Sequence, residues 1–214
     1  VGASTENLGQ LAELEQLPGS PGIKLFMGSS TGSLLVEKDE DVRQVLRNGK
    51  RRVAVHSEDE ARLRERKALV EAGAHPREHP NWRDAEAARL CTERLLRSAK
   101  ETHRPVHVLH ISTRDELSML WYAQRHGQDA TCEVTPQHLI FSAEDYERLG
   151  TRLQMNPPVR ASEHREAIRA ALKDGLFAVF GSDHAPHTLE EKARPYPQSP
   201  SGMPGVQSLL PAVG

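Results

Sequence analysis

The sequence predicts an α/β chain: a parallel sheet wound as part of a (β/α)8 TIM-type barrel, here a partial barrel of about six β/α units. Three observations predict it. From Ile23 onward, short apolar runs alternate with longer helical patterns, an order that implies parallel strands joined by right-handed crossovers. Chemistry-bearing residues stand at the ends of successive runs, at His56, His110 and Asp183, the end where barrels place their sites. A full barrel has eight strands and typically about 250 residues, whereas this chain has 214 residues.

The elements follow in order. Ile23 to Met27 is a strand bounded by Pro21-Gly22 and Gly28-Ser29-Ser30. Asp39 to Leu46 is a helix stopped by Asn48-Gly49, and Val53 to His56 is the next strand. Glu58 to Ala72 is a charged helix with Leu63, Leu69 and Val70 as its apolar positions. Asp84 to Thr102 is a longer helix carrying Ala88, Leu95, Leu96 and Ala99. Val106 to Ile111 is a strand, Arg114 to His126 a helix, and Ala130 to Val134 a strand ended by Thr135-Pro136. Ser142 caps a helix to Leu149, with Asp145 three residues on as in a capping box. Leu153 to Met155 reads as a short strand cut by Asn156-Pro157-Pro158. Ser162 to Lys173 is a helix, and Phe177 to Phe180 is a last, buried strand closed by Gly181.

Composition narrows the function. Hydrophobic residues make up 37% and charged residues 27%, as in soluble globular domains. No apolar stretch reaches the length of a membrane span, and Val1 to Gln16 has no signal-peptide pattern. The net charge of −2 gives no electrostatic case for nucleic acid. Lys50-Arg51-Arg52 reads as a solvated turn. Two cysteines, Cys91 and Cys132, form no disulfide framework, which fits a cytoplasmic setting. Histidine is abundant, at 11 residues, and often accompanies metal or acid–base chemistry.

The strand ends define a constellation. Two histidines and Asp183 at one edge of one barrel converge on a point, and imidazole with carboxylate is the usual environment of zinc. Lys24 lies mid-strand, on the face opposite Ile23 and Leu25, which in a barrel is the lumen. A buried ammonium is costly unless it is paired or loses its proton. Two outcomes are open: pairing with Asp183 or Glu133, or reaction of the neutral amine with CO₂ to a carbamate able to bridge two metal ions. Glu133 and His138 read as residues that hold the barrel mouth together, Arg83 and Glu86 as the start of a helix, and His75 and His79 as loop residues. His103, His126 and His164 read as exposed, Trp82 and Trp121 as packing residues, and His184 has no assigned role.

Six motifs in order carry a resemblance. They are Gly22-Ile23-Lys24-Leu25-Phe26-Met27, Val55-His56-Ser57-Glu58, Val108-Leu109-His110-Ile111-Ser112, Cys132 to His138, Met155-Asn156-Pro157-Pro158-Val159-Arg160, and Gly181-Ser182-Asp183-His184-Ala185-Pro186-His187-Thr188. From about Gly22 onward the chain resembles a dihydroorotase of the amidohydrolase superfamily, carboxylated-lysine type. The resemblance implies an enzyme that interconverts L-dihydroorotate and N-carbamoyl-L-aspartate in pyrimidine biosynthesis. It implies two zinc ions bridged by carboxylated Lys24, with His56 and His110 on one zinc, and Asp183 on the other, serving also as general base and then acid. It implies substrate contacts at Asn156, His187, Ser201 and Gly202.

One departure stands against it: the family's His-x-His pair is found nowhere in the chain. The expectation is therefore that residues 1–214 are one partial barrel domain without its N-terminal strands and C-terminal end, inactive alone. Two further readings are carried. One is a hydantoinase, dihydropyrimidinase or allantoinase. The other is a non-catalytic homologue that partners aspartate transcarbamoylase. A small-molecule substrate and a homo-oligomer are expected, with neither nucleic acid nor membrane as partner.

Overall fold

In the computed structural model, which describes residues 1–29, 32–71 and 73–213, five strands form one parallel sheet in sequential order. They are β1 (Ile23–Phe26), β2 (Val53–His56), β3 (Val106–Val108), β4 (Ala130–Val134) and β5 (Val179–Phe180). The helices are α1 (Leu11–Leu14), α2 (Asp39–Arg47), α3 (Glu60–Arg66), α4 (His79–Trp82), α5 (Ala85–Thr102), α6 (Arg114–Arg125), α7 (Pro136–Ile140), α8 (Tyr146–Leu149), α9 (Ser162–Lys173), α10 (Leu189–Lys192) and α11 (Val206–Val213).

Strand alternation separates two faces. Ile23, Leu25, Val53, Val55, Val106, Val108, Cys132 and Val134 are buried outward, in one cluster with Val45 of α2, Leu95 of α5, Leu120 of α6 and Ile168 of α9. The inner face carries polar side chains in register: Lys24 stands beside Ala54, Ala54 beside His107, and His107 beside Thr131. These four residues line one cavity of about 520 Å³ together with Val179. The arrangement is that of a partial barrel: helices outside, a lumen inside.

Helix starts follow local chemistry. Asp59, Asp84 and Thr113 accept backbone N–H groups at the N-termini of α3, α5 and α6, which satisfies donors a helix cannot pair internally. The Ser142–Asp145 capping box forms as the spacing predicts, though the first turn behind it is 3-10.

The structure corrects several expectations. Leu153 to Met155 is not a strand. Leu153 ends a 3-10 turn, and it packs with Met155, Tyr146, Val159 and Met203 in a second, smaller core. The Gln154 carbonyl accepts from Gly202 N and Lys192 Nζ rather than from a strand neighbour. A run of three residues carries too little period to tell a strand from a buried loop. The sheet instead extends at its other edge, where Val1 and Ala3 exchange backbone hydrogen bonds of 2.7 and 2.8 Å with Lys24.

The helix predicted from Glu58 begins at Glu60, because Glu58 is drawn inward by other partners. β3 stops at Val108, ahead of His110, whose φ of 38° turns the chain. β5 is not buried: Val179 and Phe180 are 45% and 40% exposed, because no further described strand pairs with its outer edge. No described helix is long and apolar enough to cross a membrane.

Leu95 is fully buried between α5 and the sheet. Leu95→Ala is expected to lower the unfolding free energy by about 2–5 kcal/mol, read from urea unfolding with an unchanged m-value.

Candidate active site

Every candidate residue lies at or beyond the C-terminal end of the sheet, apart from Lys24. His56 closes β2, and its Nδ1 stands 3.0 Å from His110 Nε2. On its other side, His56 Nε2 is 2.8 Å from Glu58 Oε2. Glu58 is fully buried and also receives Arg83, through Nη2 on Oε2 and Nε on Oε1 at 3.2 Å. Burial alone raises the Glu58 carboxyl, but Arg83 and His56 outweigh it and hold it far below the ordinary range. The carboxylate is therefore ionised and can only accept, so His56 carries a proton on Nε2, and in the neutral ring Nδ1 is the lone pair that faces His110.

His110 shares this environment. Its Nδ1 is buried without a partner. Burial first, then the neighbouring His56 and Lys24, depress its basicity well below the usual imidazole range. Its left-handed backbone lies in a region costly for a non-glycine residue, and Asp183 has the same feature at φ 42°. Both residues follow strand ends where the chain leaves the sheet.

Lys24 faces the lumen with Nζ 4.4 Å from the Phe26 ring centroid. Burial lowers its pKa to about 8, against the pull of Asp183 and Glu133. Among the described residues it makes no ion pair, so the pairing with Asp183 or Glu133 is not formed. Glu133 instead meets His107 Nε2 at 3.1 Å and the His110 backbone N–H at 3.3 Å. Asp183 is raised by burial and feels His56, Glu133 and Lys24. Lys24, His56, His110 and Asp183 thus form one electrostatically coupled group. Among the described residues, no three His, Cys, Asp or Glu side chains close into a complete metal cage.

The expected substrate contacts form a second group. His187 Nε2 is 3.2 Å from the Ser201 carbonyl. A Cβ on Gly202 would meet the Ala185 backbone and sit 3.1 Å from the His187 ring, and φ there is +143°. Only glycine allows this close passage. Lys192 Nζ holds the loop by donating to the carbonyls of Gln154, Pro200 and Gly202 at 3.0, 2.9 and 3.0 Å. Asn156 is half-buried, with Nδ2 3.1 Å from Ser29 Oγ.

Sequence reasoning missed several participants. Arg83 does not merely begin a helix; it is the buried partner of Glu58. His164 is buried rather than exposed, and its Nδ1 accepts the Arg114 N–H at the start of α6. His184 Nδ1 accepts the backbone N–H groups of Gly205 and Val206 at the start of α11. Lys50-Arg51-Arg52 is no free turn: Arg52 bonds the Val106 carbonyl and Asp129, and the Lys50 and Arg51 N–H groups bond buried Glu15. His138 does tie the mouth, from Thr135 to the Pro157 carbonyl. The Glu58 carboxylate had a signal in its spacing from His56, whereas Arg83 had none.

Comparison with known proteins bears on this site. No protein-family model matches the chain. It is 36% identical to the dihydroorotase of Methanosarcina mazei, over 98% of this chain and 48% of that protein. It is 36% identical to the dihydroorotase of Halobacterium salinarum, over 88% of this chain and 43% of that protein. The chain spans about half the length of these relatives. L-hydantoinase from Arthrobacter aurescens superposes on 99% of this chain and 49% of that chain, with a TM-score of 0.91 and 25% identity. The fold of a dihydroorotase from Saccharomyces cerevisiae is also shared, at a TM-score of 0.73.

The fold is that of a partial barrel of the amidohydrolase superfamily. Within that superfamily the sequence belongs with the dihydroorotases.

His138 supplies a pH test. Burial first, then Arg160, lowers its pKa to about 4, against about 6.5 in an unfolded chain. The unfolded state takes up the proton first, so stability is full above about pH 6.5 and erodes as pH falls toward 4. His138→Gln, which keeps a donor for the Pro157 carbonyl, is expected to shrink the loss of unfolding free energy between pH 7 and 5 by about 1–2 kcal/mol. Denaturant titrations at the two pH values check it.

Proposed function

We propose that the protein carrying this chain is a metal-dependent cyclic-amide hydrolase, a dihydroorotase that interconverts L-dihydroorotate and N-carbamoyl-L-aspartate. The observation that carries the reading is the meeting of two imidazole nitrogens, His56 Nδ1 and His110 Nε2, beside lumen-facing Lys24 and strand-end Asp183. Its support by sequence is the similarity to dihydroorotases along nearly the whole chain.

The donors fit a divalent cation. Glu58 fixes the His56 tautomer that leaves Nδ1 free, and that nitrogen stands 3.0 Å from His110 Nε2, a second imidazole donor. His56, His110, Asp183 and Lys24 would hold two zinc ions, with Lys24 as its carbamate. When bound, such ions polarise an amide carbonyl and make water a stronger acid. The remaining ligands belong to a His-x-His pair that these 214 residues lack, so the chain by itself is proposed to be inactive.

The chain's own residues divide the work. Burial brings the Lys24 pKa to about 8, so near neutral pH part of the amine is free to attack CO₂. From the neutral amine an N–C bond forms and one proton leaves, giving a carbamate anion with two oxygens. Asp183, raised by burial, accepts the proton of the attacking water and returns it to the leaving ring nitrogen. Asn156, His187 and the Ser201–Gly202 backbone hold the substrate's carboxylate and ring amide. Residues 1–214 then act as part of one barrel domain. A cytoplasmic setting, a homo-oligomer and contact with aspartate transcarbamoylase go with the dihydroorotase reading through resemblance alone.

A second reading, a hydantoinase, is favoured by the fold similarity to L-hydantoinase. Substrate profiling of the complete protein separates the two. Turnover of L-dihydroorotate well above hydantoin is expected, and preference for hydantoin overturns the assignment. Asp183→Asn in the same protein is expected to lower kcat by about 10²–10⁴ while metal content falls far less. Unchanged kcat would remove Asp183 from the proton transfer.

A further inference from the structure

We propose that His79 is a positioning residue for substrate specificity: it sets the amide orientation of Asn156, so that this side chain presents N–H donors and not its carbonyl oxygen to the substrate. The inference rests on the reading of Asn156 as a substrate contact and goes beyond it in naming what fixes its polarity.

His79 begins α4, in a loop far in sequence from the site, yet it is fully buried. Its Nε2 has two neighbours, the Met155 carbonyl at 2.9 Å and Asn156 Oδ1 at 3.0 Å. Its Nδ1 is 3.1 Å from the Tyr196 hydroxyl. A backbone carbonyl can only accept, so the proton of the neutral ring must sit on Nε2. Burial, with Arg83 nearby, drives the His79 pKa down to about 3, so the ring stays neutral and carries one proton. Nδ1 is then an acceptor, and Tyr196 donates to it.

The chain of consequence ends at Asn156. The Asn156 atom facing the protonated Nε2 must be an acceptor, which assigns Oδ1 to His79 and Nδ2 to the opposite side. One Nδ2 hydrogen reaches Ser29 Oγ at 3.1 Å, just beyond β1 at the barrel mouth. The second makes no bond to a described residue. A flipped amide would place its NH₂ against the His79 N–H, donor against donor in a buried setting, which costs the full desolvation penalty of an unmade bond. The Met155 carbonyl, which cannot rotate independently of the chain, thus fixes a ring tautomer, and the tautomer fixes an amide. The substrate feature selected at Asn156 is an acceptor, a carboxylate or ring carbonyl oxygen, and not an N–H.

The test uses the complete metal-loaded protein and two readouts. The first is ¹⁵N NMR of His79 in the wild type. An Nε2–H tautomer that does not titrate between pH 8 and 5 is expected. An Nδ1–H tautomer overturns the proposal outright. The second is steady-state kinetics with L-dihydroorotate. Loss of one buried hydrogen bond predicts that His79→Leu raises KM about tenfold or more with kcat little changed. His79→Gln, which keeps a donor near the Nε2 position, should restore KM to within about threefold of wild type. Asn156→Ala should raise KM at least as much, and the His79→Leu/Asn156→Ala double variant no further. A folded His79→Leu protein with wild-type KM, beside an impaired Asn156→Ala, refutes the positioning role. Wild-type KM in Asn156→Ala instead refutes the substrate contact, while the ring tautomer still reports on the positioning. If His79→Leu does not fold, Tyr196→Phe replaces it: the Met155 carbonyl alone should keep the Nε2–H tautomer and a near-normal KM, and a switch of tautomer would contradict the scheme.

Discussion

The site depends on one buried carboxylate. Glu58 sits between His56 and Arg83 with no exposure to solvent. It stays ionised against burial because Arg83 and His56 both favour its charged form. While it is ionised, His56 must donate to it, and the free nitrogen of the ring must point at His110. Arg83 in turn offers its backbone carbonyl to Arg160 Nη1 at 2.7 Å, and Arg160 Nε reaches Ser112 at 3.0 Å, two residues past His110. The loops after β2 and β3 are therefore fastened to each other through charged hydrogen bonds under the barrel mouth. Removing one partner of such a pair leaves an uncompensated buried charge, so the network resists piecemeal change.

Burial then acts in one direction on the groups it encloses. It disfavours charge on the His110, His79 and His138 rings and on the Lys24 amine, and it disfavours ionisation of Asp183. The imidazoles remain neutral donors of lone pairs. The amine comes within reach of neutrality, and the carboxyl comes closer to a pKa useful for moving protons. The same desolvation that would destabilise a solvent-facing design supplies the chemistry here. The proposed role of His79 uses the same logic without charge: its ring, held by the Met155 carbonyl, passes a fixed polarity to Asn156.

Much of this was legible in sequence, and the limits have physical causes. β2 and β4 were legible to the residue because β-branched runs there end in clear turn signals. Lys24, His56, His110 and Asp183 were legible because strand period and strand-end position assign them to one face and one edge. The false strand at Leu153–Met155 arose because two buried apolar residues flanking a buried glutamine look the same in a loop core as in a sheet. Arg83, His79 and His164 were illegible because burial of a polar side chain depends on a partner tens of residues away. His79 meets Asn156 across 77 positions, and Arg83 meets Glu58 across 25. No local pattern encodes such pairs.

The central claim is that His56 offers Nδ1, and not Nε2, to a cation shared with His110. Anomalous diffraction at the zinc edge from crystals of the complete protein tests it most directly. The account predicts a metal peak about 2.0–2.1 Å from both His56 Nδ1 and His110 Nε2, with Glu58 still on His56 Nε2. A metal bound through His56 Nε2, or a peak remote from both rings, would contradict it.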